Sequence, residues 1–328
     1  MELIRNPEPV AALICGAETI ALCSHVSPDG DTLGSTLALK MGLESLGKRV
    51  SIFCQDPVPA KLSMLPGAEQ FRRPEDAAQE RFDLLIAVDV SDQARMGTCQ
   101  SLLAQAAQVA QVDHHGTNPA YAQVNDVDPH APATSLLVKE LLDTLHVTIT
   151  RDIAICLYTA VATDTGNFAF SYTTAEAFSM TSELMGYGLP LSEMNRLLFR
   201  QRTPQQLALL SRALNTLAFH ENGQITTMRL SQKDFIECGA LPEHADAVVN
   251  YGVDIVGVKM AMMAREDTDG TVKIALRAIE PTRVDGVAFS LGGGGHAQAS
   301  GCTVNGPLDA AIEKVLSAMK KALNEERT

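Results

Sequence analysis

Residues 83–89, Asp-Leu-Leu-Ile-Ala-Val-Asp, form an unbroken apolar run that opens and closes on a carboxylate. Alternating apolar and polar residues mark a strand with one wet face, whereas continuous apolarity marks a strand buried on both faces. Such a strand belongs inside a parallel sheet with helices on either side, and its terminal carboxylate, Asp89, falls where parallel sheets deliver function. The stretch before it agrees. Thr19 to Cys23 reads as a strand, apolar residues at 33, 37 and 41 and at 39, 43 and 46 give two stripes of one helix, and Gly47 supplies a stop. Val50 to Cys54 is then a second strand, and the three elements make a βαβ unit with a right-handed crossover.

The remaining pattern extends this sheet. A short helix over Val10 to Gly16 precedes it; after Asp89 come a helix from Ser101 to Ala107, a strand Val109 to Val112 and the segment Asp113-His114-His115-Gly116. Beyond a loop through Asn125 to Pro132, one helix runs from Thr134 to Leu145 and another from Thr150 to Asp164. Residues 173–202 read as helical with a break at Gly186 to Pro190, and a helix from Gln205 to Leu217 follows. The pattern then turns β-rich: Ile225 to Leu230, Ile255 to Ala264 and Thr271 to Ile279, with an Asp-Gly hairpin signal at 269–270. The expected fold is α/β: a Rossmann-like parallel sheet flanked by helices (1–190), a helical linker (191–217) and a smaller α+β domain (218–328).

Composition narrows what such a chain can do. A net charge of −13 argues against gripping long duplex nucleic acid, because that mode needs a Lys/Arg surface to displace counterions. Seven scattered cysteines without a Cys-x-x-Cys pair read as buried reduced thiols. No apolar run reaches the ~18 residues of a membrane span and the N-terminus lacks a signal-peptide layout, so a cytoplasmic protein without a membrane partner is expected.

Carboxylates and imidazoles recur at the ends of these elements. His25-Val26-Ser27-Pro28-Asp29-Gly30-Asp31 follows the first strand, Asp89 the third apolar run, Asp113-His114-His115 the next strand, and Asp164 ends a helix. Pro-Asp-Gly-Asp alone is good turn chemistry, but in a doubly wound sheet these ends converge on one crevice. Adjacent histidines on an extended segment point to opposite sides, so one of His114 and His115 is expected to ligate and the other to act beside the metal or as proton donor. Asp113 is placed to fix an imidazole tautomer. The donors, nitrogen and oxygen without sulfur, exceed what one four-coordinate ion needs. They suit two divalent cations, Mn²⁺ first, with Mg²⁺, Co²⁺ or Zn²⁺ as substitutes. Such a pair generates a hydroxide and stabilises in-line displacement at phosphorus.

These motifs, His25-x-x-x-Asp29-x-Asp31-x-x-Gly34-Ser35, Asp89, Asp113-His114-His115 and Asp164, resemble in order the four motifs of the DHH phosphoesterase family. Gly292-Gly293-Gly294-Gly295-His296 with Ala299-Ser300-Gly301 resembles the glycine-rich motif of the DHH-associated C-terminal domain. The resemblance implies that His25, Asp29 and Asp89 hold one ion and Asp31, Asp89, His114 and Asp164 the other, with Asp89 as bridge. It places His115 near the leaving group, as an acid or an electrostatic stabiliser. Gly34 and Ser35 are expected to open a helix whose amides help hold an anion, with Gly30 allowing the preceding turn. In the C-terminal domain, Gly293, Gly294, Gly295 and His296 are expected to receive a phosphate or base on a backbone nest, and Arg277 to clamp a terminal phosphate. The hydroxyls that usually flank this arginine are replaced by Ala275 and Ala278, which leaves nucleotide preference open.

Length and layout are most similar to the nanoRNase and pAp-phosphatase type. The implied activity is hydrolysis of very short oligoribonucleotides, of 3′-phosphoadenosine 5′-phosphate, or both, on a substrate that bridges the two domains. Linear or cyclic dinucleotides, pyrophosphate and polyphosphate are alternative substrates, and a nucleotide-binding regulatory module is the reading from outside enzymology. The expected partners are short RNA or a small nucleotide, with a homodimer as the expected assembly.

Overall fold

The computed structural model describes residues 5–295 and 297–325, which divide after Gln201 into two compact units. The first unit carries β1 (Thr19–Cys23), β2 (Arg49–Phe53), β3 (Phe82–Val88), β4 (Ala106–Asp113) and β5 (Val124–Val127) in one sheet of order β2-β1-β3-β4-β5. Every pairing in it is parallel. Its helices are α1 (Glu8–Gly16), α2 (Gly30–Ser45), α3 (Thr134–Thr144), α4 (Arg151–Asp164), α5 (Ala175–Met185) and the short α6 (Leu191–Asn195).

The apolar run of β3 is buried on both faces. Leu84, Ile86 and Val88 meet the core formed with α1 to α4, while Leu85 and Ala87 join Met96, Cys99 and Leu102 on the other side. Helix α2 explains its own two stripes: Leu33, Leu37, Leu39 and Leu43 are all fully buried, as in a helix covered by a sheet and by neighbouring helices. Each such side chain contributes about 1.5–3 kcal/mol by leaving water. The reversal of strand order falls between β1 and β3, and ligand crevices open at the carboxyl ends of the strands at such a point.

Several local expectations change. The helix expected at 101–107 is instead a set of 3₁₀ turns over Gln93–Gln105, interrupted at Gly97 (φ 56°). Met96, Cys99 and Leu102 repeat every three residues, the period that puts one face of a 3₁₀ helix inward. Strand β4 therefore begins earlier, at Ala106, and β5 pairs beside it within what reads as loop.

The second unit contains α7 (Pro204–Asn215), β6 (Ala218–His220), β7 (Ile225–Leu230), α8 (Gln232–Cys238), α9 (Asn250–Val253), β8 (Met260–Glu266), β9 (Thr271–Ala278), α10 (Asp285–Ser290), β10 (Gly294–Gly295), β11 (Ala299–Asn305) and α11 (Leu308–Glu325). Its mixed sheet has the order β10-β11-β9-β8-β7-β6. Helix α7 buries Leu209 and Ala213 in the core of this unit, against Met228 and Met263. Strand β8 starts at Met260, not Ile255, because Gly257 (φ 87°) turns the chain first. Among the described residues no helix is long and apolar enough to cross a membrane.

Candidate metal centre

Because the first sheet is parallel, the residues that follow β1, β3 and β4 all emerge at one edge. His25 is 2% exposed there, and its Nδ1–H donates to the Val26 carbonyl at 2.8 Å. That bond orients the ring so that Nε2 faces Asp29 Oδ1 at 3.7 Å and Asp89 Oδ2 at 3.5 Å. His114 repeats the device. Its Nδ1 bonds to the Ala131 carbonyl at 3.0 Å, and Nε2 faces Asp164 Oδ2 at 3.4 Å, Asp89 Oδ1 at 3.7 Å and Asp31 Oδ2 at 3.9 Å.

Asp89 thus turns one oxygen toward the His25 group and the other toward the His114 group. It does so from a left-handed backbone, φ 61°, a conformation Asp tolerates at a cost of order 1–3 kcal/mol. His25, Asp29 and Asp89 present ligand atoms within 4.8 Å of one another, as do Asp31, His114 and Asp164. Asp89, His114 and His115 form a third such group, but His115 Nδ1 already bonds to Asp113 Oδ1 at 2.8 Å. Asn118 Nδ2 in turn donates to the other oxygen of Asp113 at 2.5 Å. The two imidazole rings stand 4.7 Å apart at 60°, so they aim in different directions.

The local fold places each carboxylate. Asp29 caps α2 by accepting from the amides of Asp31 and Thr32. Asp31 Oδ2 accepts from the Thr134 amide at 2.6 Å and Oδ1 from the Ser135 amide at 3.2 Å and the Ser35 hydroxyl at 3.0 Å. The first amides of α2 and of α3 thus each hold one of the protein's own carboxylates, Asp29 and Asp31 respectively. Gly34 lies a full turn inside α2, where a Cβ would sit 2.5 Å from the Cys156 carbonyl oxygen. Gly30 is small for a similar reason: a Cβ there would meet Thr163 Oγ1 at 2.2 Å. Close crossing of α2 and α4, not a turn or an anion cradle, sets these two glycines.

Electrostatically the centre is dominated by its carboxylates. Burial, with Asp89 and Asp164 nearby, pushes the Asp31 carboxyl well up, and burial likewise raises that of Asp164. Burial alone would lower His25, yet its bonds to Asp29 and Asp89 raise it to about 10; for His114 the charges of Asp89, Asp164 and Asp31 outweigh burial in the same way. Carboxylates gathered this closely hold protons or demand cations. The donor set fits a divalent cation on both counts, lone pairs and charge.

Some participants carry no signal in the sequence patterns above. Thr134 Oγ1 donates to Asp89 Oδ1 at 2.8 Å, and an Arg95 guanidinium nitrogen lies 3.0 Å from His25 Nδ1. Helix α3 does offer one clue: its N-cap is Ala133, which has no side chain to bond the first amides, so another group must.

In the second unit, Arg277 lies on β9 opposite Ala299, and Gly294 and Gly295 pair with Gly301 and Ser300 one strand further on. A Cβ on Gly293 would lie 2.1 Å from the Gly301 carbonyl oxygen, so close strand approach requires that glycine. His296 lies outside the described residues. Arg277 lines a cavity of about 300 Å³ together with Arg265, Lys273 and Asp246. Arg265 and Lys273 are cross-strand neighbours, a pair of cations that the reading of Arg277 alone does not include.

A parallel sheet whose carboxyl edge gathers carboxylates and imidazoles, with no cysteine among the clustered groups, is the arrangement found in α/β proteins that bind divalent cations. Residues 19–161 match the DHH family, N-terminal domain, and residues 224–325 match the DHHA1 domain. The chain is 36% identical to the bifunctional oligoribonuclease and PAP phosphatase NrnA of Thermus thermophilus, over 93% of this chain and 90% of that one. It is 25% identical to the protein of the same name from Bacillus subtilis, over 88% and 90%. The crystal structure of an exopolyphosphatase-related protein from Bacteroides fragilis superposes with a TM-score of 0.91 at 25% identity, covering 96% of this chain and 95% of that one. The chain belongs to the DHH family of phosphoesterases and is a hydrolase acting on phosphoester bonds.

Proposed function

We propose that this phosphoesterase is Mn²⁺-dependent, uses two cations, and hydrolyses very short oligoribonucleotides and 3′-phosphoadenosine 5′-phosphate. The observation that carries the reading is the divided carboxylate of Asp89, with Oδ2 toward His25 and Oδ1 toward His114. His25, Asp29 and Asp89 would hold one ion, and Asp31, Asp89, His114 and Asp164 the other. When bound, such cations acidify water and neutralise charge developing at a phosphoryl group. A sulfur-free donor set favours Mn²⁺.

The chain's own groups supply the rest. Asp113 accepts from His115 Nδ1 and so fixes the ring with Nε2 as its other nitrogen. Burial would lower this imidazole, but the bond to Asp113 and the charge of Asp89 raise it, which favours the protonated form. His115 then acts as the acid that protonates the departing oxygen. In the substrate-binding unit, Arg277 with Gly293, Gly294, Gly295 and His296 receives a terminal phosphate. The net charge of −13 supports a short substrate over a long duplex, and the setting we propose is the cytoplasm.

The substrate reading also rests on the activities for which the Thermus and Bacillus relatives are named. Purified protein with Mn²⁺, assayed in parallel on 3′-phosphoadenosine 5′-phosphate, a dinucleotide, a cyclic dinucleotide, a longer RNA and pyrophosphate, tests it. Rapid turnover of the first two is expected. Equal rates on the longer RNA, or a preference for pyrophosphate, would overturn it.

A further inference from the structure

Immediately after Asp164 the chain holds three aromatic residues at alternate positions, Phe168, Phe170 and Tyr172. They have different fates. Phe168 turns inward, 6.5 Å from the Tyr158 ring and stacked 5.2 Å from Phe178. Phe170 and Tyr172 stay half exposed, at 50% and 52%, in a protein with ten Phe, five Tyr and no Trp. Their rings pair with centroids 5.6 Å apart at 40°, and the Tyr172 hydroxyl donates to the Asp164 carbonyl at 2.9 Å. Large aromatic surface left in water beside a metal-site carboxylate calls for a ligand with a flat apolar face.

The loop is built to hold these rings still. Gly166, Asn167 and Phe168 all take left-handed backbones, at φ 58°, 58° and 65°. Thr165 pins the segment: its hydroxyl accepts from the Phe168 amide and its carbonyl from those of Ala169 and Phe170. The Phe170 ring lies over Gly166, where a Cβ would meet it at 2.5 Å. The bulky Phe168 accepts a left-handed backbone here, and three amides bonded to Thr165 hold the segment that presents Phe170 and Tyr172.

We propose that Phe170 and Tyr172 form a stacking platform for a nucleobase of the substrate whose phosphoester meets the carboxylate centre. The inference rests on the proposed nucleotide substrate and adds the residues that read its base. Stacking accepts any base because each has a π-face, and it favours purines through their larger area. The platform therefore gives affinity without strict sequence preference.

The absence of native tryptophan provides a direct test. In Phe170→Trp the indole is the sole tryptophan fluorophore, and titration of the Mg²⁺-loaded protein with AMP is expected to quench it saturably, with ribose 5-phosphate much less effective. Equal responses to the two, or none to AMP, would overturn the platform. Kinetics supply the second arm. Wild-type protein should prefer a diadenylate over its base-free analogue, and Phe170→Ala should shrink that preference about tenfold through KM, with Tyr172→Phe keeping it because the ring remains. An undiminished preference in Phe170→Ala would also overturn the proposal. If wild-type protein cleaves neither compound, the nucleotide reading itself fails; if it cleaves both but Phe170→Ala leaves their ratio intact, only the platform fails.

Discussion

The Thr134 amide donates to Asp31 Oδ2 across 2.6 Å, joining residues 103 positions apart, while the hydroxyl of the same threonine donates to Asp89 Oδ1 at 2.8 Å. One residue at the start of α3 therefore orients two of the carboxylates, one of them the proposed bridge. Such outer partners are worth about 10–100-fold in metal affinity. Thr134→Val keeps the amide and removes only the hydroxyl. The half-saturating Mn²⁺ concentration should rise by about that factor, with the far-ultraviolet dichroism unchanged. An unaltered metal titration would show that the Asp89 contact does not tune the site.

Asp89→Asn removes negative charge from both groups at once. Turnover should fall below detection while the protein remains folded. A ligand that binds only the native state stabilises by about 4 kcal/mol at a thousandfold excess over Kd, so chelator should lower the wild-type melting temperature by several degrees. In Asp89→Asn the chelator-dependent difference should shrink. Activity undiminished in chelator, or in this variant, would remove the two-cation mechanism.

How much of this was readable in advance depends on how local each cause is. The β3 run announces its burial because a strand covered on both faces needs every side chain apolar, and Asp89 at its end follows from the geometry of parallel sheets. Asp113 beside His115 was likewise legible, two residues apart on one strand end. Thr134 was not, because its role depends on α3 arriving over Asp31 from a distant part of the chain. Gly30 and Gly34 were misread for the same reason: their neighbours, Thr163 and Cys156, belong to another helix. Strand β11 escaped notice because Ala299-Ser300-Gly301 has little β-propensity, and its pairing with β9 overrides local preference.

His115 poses a choice between acid and electrostatic stabiliser that leaving groups can decide. General acid catalysis contributes about 10²–10⁴-fold when the departing oxygen is basic. His115→Ala should lose about that much on a dinucleotide, whose leaving alkoxide needs a proton, and far less on a p-nitrophenyl phosphoester, whose leaving group does not. Equal losses on both substrates would instead assign His115 to charge stabilisation. Asp113→Asn should follow the same substrate pattern with a smaller loss, since it disturbs the tautomer and leaves the ring.

Gly34→Ala probes the packing that brings α2 and α4 together. The added methyl would face a backbone carbonyl, that of Cys156, and the Ala160 Cβ at 3.1 Å, neither of which can rotate away. Overpacking of this kind costs about 1–3 kcal/mol. A lower melting temperature with a weakened Mn²⁺ titration is expected, because the same crossing carries Asp31 on one helix and Asp164 on the other. A variant as stable as wild type would mean that the helices separate freely.

Asp126 offers a pH test away from the metal ligands. Its carboxyl is fully buried on β5, with Oδ1 accepting from the Asn6 amide at 2.8 Å and Oδ2 lacking a hydrogen-bond partner among the described residues. Burial, reinforced by the charge of Glu140, raises it to about 6. The unfolded-state value is about 3.9, so the folded protein binds this proton more tightly. The resulting stability is complete below pH ~4 and is lost as pH rises through about 6. Asp126→Asn cannot titrate there. Between pH 4 and pH 7 the wild type should therefore lose about 2–3 kcal/mol relative to the variant in denaturant unfolding. Comparing two pH values within each protein cancels the constant cost of seating an amide in place of the carboxyl. Parallel stability curves for the two proteins would show that Asp126 is ionised throughout this range and that its buried oxygen is solvated by another route.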